Sequence, residues 1–271
     1  MKTLGVLLIL GFSFAAAAQD KSVPTPGGGA SAEVQVPPDA IFDQGTIEVD
    51  GSGGFSRVED FVIFKTPDGG YTILSNIAAD DGSYNASASW TYDKDWHALK
   101  ASARSMAKGI ERKIEMRRDG DTVTMKRRTI TKDDIKADDF TAQCGDDCLM
   151  DMTPAVLPMS IMARRFDGAK SGPQVFKWVG VSLINDQVLT DGQATISRQK
   201  TMKVQGIGEV THWRFVEDLK GPGGQPFQMN AHLWTDPQGH LRKFGMGRTP
   251  QPSTIGVRQT DAAVTAQMPA E

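Results

Sequence analysis

The chain has 271 residues, with 30 Lys+Arg against 33 Asp+Glu, a formal net charge of -3 and 39% hydrophobic residues. So mild a charge, without a Lys/Arg block of five or more, excludes a nucleic-acid partner held by counterion release. Beyond the first eighteen residues no run of about 18 apolar residues occurs, so no integral membrane segment is expected.

Residues 1–18 (MKTLGVLLILGFSFAAAA) read as a secretory signal peptide. Lys2 gives the positive n-region, Leu4 to Phe14 the short apolar h-region, and Ala16 and Ala18 the small-residue cleavage pattern. The mature chain is expected to start at about Gln19 and to work in the periplasm or outside the cell, where disulfides persist. Residues 19–39 carry Pro, Gly and small residues and read as a flexible leader. Residues 40–250 are expected to form a single antiparallel β domain. The tail 251–271 repeats the leader's composition, with Ile255 and Val257 offering a last short strand.

Period-2 alternation dominates the central region. Tyr84, Ala86, Ala88, Trp90 and Tyr92 share one face, and Ile110, Ile114 and Met116 continue it, with Val123 and Met125 on the return strand. Turns are expected at Pro67–Gly70, Asp119-Gly120, Asp191-Gly192 and Asp236–Gly239. About 11–13 strands joined by turns too short for parallel crossovers imply an all-β, mainly antiparallel fold. The expected architecture is one long, strongly curved sheet or half-barrel. One short helix at about 153–165 would plug it, capped by Thr153, with Pro154 in its first turn and Arg164-Arg165 at its end. Pro158 allows a later start.

Cys144 and Cys148, in CGDDC, are expected to form a disulfide closing a small loop. No nucleophile elbow, phosphate-binding loop, dinucleotide-binding turn or zinc-protease motif occurs, so no enzyme, cofactor or catalytic residue is predicted. His212, His232 and His240 are read as polar-face histidines rather than as a metal site. Met150, Met152, Met159 and Met162 suit core filling first, then an apolar ligand lining, and last a soft copper site. Aspartate pairs such as Asp80-Asp81, Asp133-Asp134 and Asp138-Asp139 read as solvated turn residues. In W-x-Y-D-x-D-W, Trp90 and Tyr92 point to the apolar side while Asp93 and Asp95 flank a tight turn before Trp96.

The succession WTYDKDW, LPMSIMARRF and HLWTDPQGHLRKF resembles a broad group of uncharacterised exported bacterial β-rich proteins. The likeness spans roughly 60–240 and rests most directly on Trp234, Asp236, Gly239 and Lys243. It implies a fold similar to lipoprotein carriers, an incomplete curved barrel plugged by helix, and binding of an acyl chain or another apolar molecule. The reading is thus a soluble periplasmic binding or carrier protein for a lipid or other hydrophobic ligand, with other envelope proteins as further partners. The ligand wall would comprise Tyr84, Trp90, Tyr92, Ile114, Met116, Met125, Leu157, Ile161 and Met162. The alternatives are an envelope assembly or scaffold protein with a filled interior and, third, a carbohydrate-active enzyme using two carboxylates at a cleft.

Overall fold

The computed structural model describes residues 33–49, 56–220, 226–247 and 265–267. The segment read as a signal peptide, most of the leader, and Ile255 and Val257 lie outside them. Sixteen strands and one α-helix are present among the described residues. They begin with β1 (Glu33–Gln35), within the stretch read as leader, and a 3-10 turn at Pro38–Ala40.

Eight strands then run as an unbroken antiparallel meander: β2 (Ile41–Val49), β3 (Arg57–Lys65), β4 (Tyr71–Ala79), β5 (Tyr84–Tyr92), β6 (Ala98–Ala107), β7 (Ile110–Asp119), β8 (Thr122–Ile130) and β9 (Ile135–Gln143). Strict alternation of buried and less buried residues along β5 is the physical origin of this sheet, since one face must leave water. Asp138 and Asp139 lie on β9 rather than in a turn, and Asp138 pairs across the ladder with Arg127.

The second sheet holds β10 (Cys148–Thr153), β11 (Gln174–Ser182), β12 (Val188–Val204), β13 (Gly208–Lys220), β14 (Pro226–Thr235) and β15 (Leu241–Met246). Between β10 and β11 lies α1 (Leu157–Arg165), and these two strands pair in parallel. This is the one parallel pairing among the described strands of a mainly antiparallel fold: the segment carrying the helix is long enough for one crossover. A final strand, β16 (Thr265–Gln267), pairs antiparallel with β1. The strand count exceeds the expected 11–13 because short segments such as β1, β10 and β16 carry too few residues to show a period.

Two further details differ from expectation. Asp191-Gly192 is not a turn but lies inside β12, opposite Trp178. A Cβ on Gly192 would come within 2.9 Å of the Trp178 carbonyl oxygen, so the glycine permits close backbone approach. The helix starts at Leu157 rather than Thr153, with Pro158 in its first turn, and its N-cap residue Val156 has no local side-chain cap. The acceptor comes instead from Glu59 on β3, which takes the Val156 N–H at 2.8 Å and the Ser75 hydroxyl at 2.8 Å.

Both sheets contribute to one hydrophobic cluster that includes Trp90, Met116, Leu157, Met162, Phe215 and Phe244. β10 lies against β6 and β9 against β12, closing the arrangement into a curled half-barrel around that core. No described helix is long and apolar enough to cross a membrane. The Cys144–Cys148 disulfide is formed between β9 and β10.

Candidate functional site

The β5–β6 and β14–β15 hairpins are built alike. In each, an aspartate at the end of the first strand accepts the backbone N–H groups two and four residues on through Oδ1. Asp93 thus holds Asp95 and His97 at 2.8 Å, and Asp236 holds Gln238 and His240 at 3.0 and 2.8 Å. Oδ2 of each meets the following histidine Nδ1, at 2.9 Å in His97 and 3.1 Å in His240. The fourth position of both turns is left-handed, and the two residues there differ. Gly239 takes φ 84° without steric cost, whereas Trp96 takes φ 65°. A bulky residue in that region is strained by order of 1–3 kcal/mol, and such strain concentrates where a side chain must be aimed.

The Trp96 indole stacks on Tyr71 at 3.8 Å and forms one wall of a cleft of about 510 Å³. The other walls are Phe42 from β2, the end of α1 with Arg164, Phe166, the β12–β13 hairpin with Arg198, Glu209 and Trp213, and the turn Asp236–Gly239. Phe166 meets Trp213 edge-on at 5.1 Å. Arg164 lies at the floor, its side chain 5% exposed, with Phe42 4.8 Å and Trp96 4.7 Å from the guanidinium carbon. Burial lowers Arg164 to about 10, which leaves it charged at neutral pH. Its nearest acid is the buried Asp43 at 3.7 Å, too long for a hydrogen bond. Burial raises the Asp43 carboxyl, against the pull of His240 and Arg164. Burial also acts on Asp236, but two Arg242 hydrogen bonds at 2.6 and 2.9 Å and the His240 amide outweigh it and hold that carboxyl below its usual range.

The nine residues read as a ligand wall are all brought together, and all are core. Trp90, Met125, Leu157, Ile161 and Met162 touch no water-sized space, Ile114 and Met116 are 1% exposed, Tyr92 2% and Tyr84 7%. None of them lines the Arg164 cleft, nor a smaller one of about 410 Å³ beside Gln143, Lys177 and Asp191. Met150, Met152, Met159 and Met162 are packed there too. An acyl chain could enter this region only by displacing side chains packed to interior density.

The interior holds acids as well. Asp151 on β10 is pushed up to about 8 by burial, with Glu59 nearby adding to the effect, and neither oxygen makes a hydrogen bond of normal geometry. Burial, and then Asp151, raise Glu217 on β13 to about 9. Glu59 is raised by burial against its hydrogen bonds from Val156 and Ser75. On the other face of β13, His212 Nε2 lies 2.9 Å from His232 Nδ1, and the His212 ring stacks on Trp234. Burial lowers His212 to about 4, with His232 and Lys200 acting in the same sense. His240 is apart from this pair, against Asp236 and Phe42. The ligating atoms of Asp93, Asp95 and His97 cluster within 4.8 Å, but both Asp93 oxygens already serve their own turn.

Alternation alone missed Phe42, Arg164, Phe166 and Trp213, because the cleft forms where turns from distant parts of the chain meet. One signal was present: W-T-Y-D-K-D-W-H and W-T-D-P-Q-G-H repeat a pattern with Trp96 in place of Gly239.

No protein-family model matches the chain, and no curated protein does. Among solved structures, a DUF1089-family protein from Pseudomonas aeruginosa aligns at 17% identity, over 73% of this chain and 91% of its own, with a TM-score of 0.45. A β-barrel-like protein of the domain of unknown function DUF1849 from Brucella abortus aligns at 10% identity, over 82% and 97%, with a TM-score of 0.43.

Proposed function

We propose that the protein is an exported, non-catalytic binding protein for a small ligand with an apolar body, seated in the Trp96–Arg164 cleft. One observation carries the reading: a cleft of about 510 Å³ walled by Phe42, Trp96, Phe166 and Trp213, one of which is held in a left-handed conformation that glycine fills in the sister turn. That volume falls in the range of small-molecule sites, and here the aromatic rings sit in a lining that is mostly polar, with Arg164, Arg198, Thr201, Glu209 and Gln238 among them. The nine packed residues behind it act as a rigid frame. A role without chemistry is supported by Asp236 and His240, the acid–base pair nearest the cleft, which are bound to each other and to Arg242. Export by residues 1–18 agrees with the Cys144–Cys148 disulfide.

Covering about 300 Å² of apolar ligand surface gives roughly 7–8 kcal/mol, which association costs of at least about 4 kcal/mol reduce to an affinity in the high-micromolar to millimolar range. The test is titration of the purified protein with the neutral dye N-phenyl-1-naphthylamine. Enhanced dye fluorescence that rises through the high-micromolar range, weakened by Trp213→Ala, is expected. No enhancement at any concentration would remove the ligand reading and leave the scaffold alternative, which the densely filled interior also suits.

A further inference from the structure

We infer that the ligand of this cleft is an organic anion, whose carboxylate or phosphate oxygen sits on Nη1 of Arg164 while its apolar body lies over Phe166 and Trp213. The inference rests on the cleft being a binding site and adds the chemistry of what fills it.

Arg164 is a buried cation without an acceptor. Its Nε and Nη2 are enclosed and make no hydrogen bond, and both Asp43 oxygens are likewise without one. Phe42 and Trp96, whose ring centroids are 5.8 Å apart, lie next to each other at 4.8 and 4.7 Å from the guanidinium carbon. Nη1 is the remaining edge. It faces the cleft beside Gly239, where an added Cβ would lie 3.3 Å from it. Guanidinium N–H groups left unpaired in a buried setting are costly, and a charged acceptor is the partner that repays this best.

The acids within reach are already engaged or lie at the edge. Asp236 is shared by Arg242, His240 and two backbone amides. Glu209 is exposed at the rim, as is Arg198, whose Nη2 reaches the Thr201 hydroxyl at 3.4 Å. Asp236 is paired with Arg242 and Asp43 lies 3.7 Å from Arg164, so Arg198 and Glu209 are left at the rim with opposite charges, and it is the free Nη1 edge rather than a net positive field that suits an anion. The strained Trp96 has its explanation here: from the left-handed position its ring covers the guanidinium and fixes the direction in which Nη1 points.

The experiment displaces N-phenyl-1-naphthylamine from the full mature protein at pH 7.5 with decanol, decanoate and decyl phosphate, which share one chain and differ in the head. A charge-assisted hydrogen bond in a buried site corresponds to a preference of about 10- to 100-fold. Decanoate, decyl phosphate or both should therefore displace the dye at least about 10-fold more effectively than decanol. Which of the two wins identifies the head as carboxylate or phosphate ester. Arg164→Gln should bring the anions to within about twofold of decanol while the dye still binds. The comparison on the unmodified protein stands even where that variant fails to fold. Arg128→Ala, at an exposed position outside the cleft, should keep the preference. Equal displacement by decanol and both anions overturns the anion inference and leaves the binding cleft intact, whereas absence of dye binding overturns both. Loss of the preference in Arg198→Ala but not in Arg164→Gln overturns the assignment to Arg164.

Discussion

Replacing Asp151 by Asn should flatten the alkaline side of the stability profile. In the folded interior Asp151 and Glu217 keep their protons up to about pH 8 and about 9, whereas their ordinary values are 3.8 and 4.5. Between these limits the folded state binds more protons than the unfolded chain, so stability falls as pH rises. Each acid contributes about 1.4 kcal/mol per pH unit of that fall. His212 works in the opposite sense, its folded value being depressed to about 4 from 6.5. Its contribution is complete above pH 6.5 and is lost as the pH drops below it, so the interval from pH 6.5 to 8 isolates the acids. Over that interval one acid accounts for about 2 kcal/mol, and the two together for about 2–4 kcal/mol, since ionising either raises the cost of ionising the other. Asp151→Asn should remove about 2 kcal/mol of the decline. The buried amide also brings N–H groups without partners, a penalty of about 1–3 kcal/mol that is the same at every pH. The slope is therefore the readout. Urea unfolding followed by tryptophan fluorescence at pH 6.5, 7.2 and 8.0 measures it for the unmodified protein, Asp151→Asn and Glu217→Gln. A stability that is constant across this interval, or an Asp151→Asn variant shifted equally at all three pH values with its slope intact, would refute the reasoning.

Trp96→Gly should fold with stability within about 1–2 kcal/mol of the parent, because relief of the left-handed strain offsets the lost ring contacts; dye titration should nonetheless show binding weakened about tenfold or more. Trp90→Ala, which empties a fully buried position, should cost about 3–5 kcal/mol in urea unfolding and leave the dye affinity of the folded fraction unchanged. An affinity loss there would return the ligand to the interior. Cys144→Ala with Cys148→Ala opens a loop of sequence separation 4 and should cost about 2 kcal/mol, measurable as a lowered urea midpoint with unchanged slope.

Most of the meander was legible because one physical signal repeats along it. Tyr84, Ala86, Ala88, Trp90 and Tyr92 point inward at every second residue, and the structure buries each of them. Legibility ended where a single long-range contact decides. Thr153 has the chemistry of a helix cap, yet the acceptor is Glu59, 97 residues away, and Thr153 completes the parallel strand β10. Asp191-Gly192 has the composition of a turn, yet the need for backbone room beside Trp178 puts it inside β12. The cleft shows the same limit. Phe42, Trp96, Arg164, Trp213 and Gly239 come from five separate segments, and no local pattern links them.

The small inward residues of β5 and β6 bear most directly on what the protein can carry. Across the ladder Ala88 faces Ala103, Ala86 faces Ser105 and Ala101 faces Trp90, and such small inward residues read in sequence as room for a guest. In the fold that region is filled from elsewhere in the chain: β10 packs against β6, and Leu157, Ile161 and Met162 are fully buried in the same hydrophobic cluster. What the interior fails to satisfy is polar. Asp151 and Glu217 are kept there as neutral acids, and Glu59 serves to anchor the helix start. That anchoring fixes α1 and so fixes Arg164 in its last turn, beside two aromatic rings and without a hydrogen-bond acceptor for Nε and Nη2. The fold thus places a rigid, filled half-barrel behind one unsatisfied cation at an open cleft. For a binding protein this division is effective, because the frame has already met the ordering cost before a ligand arrives.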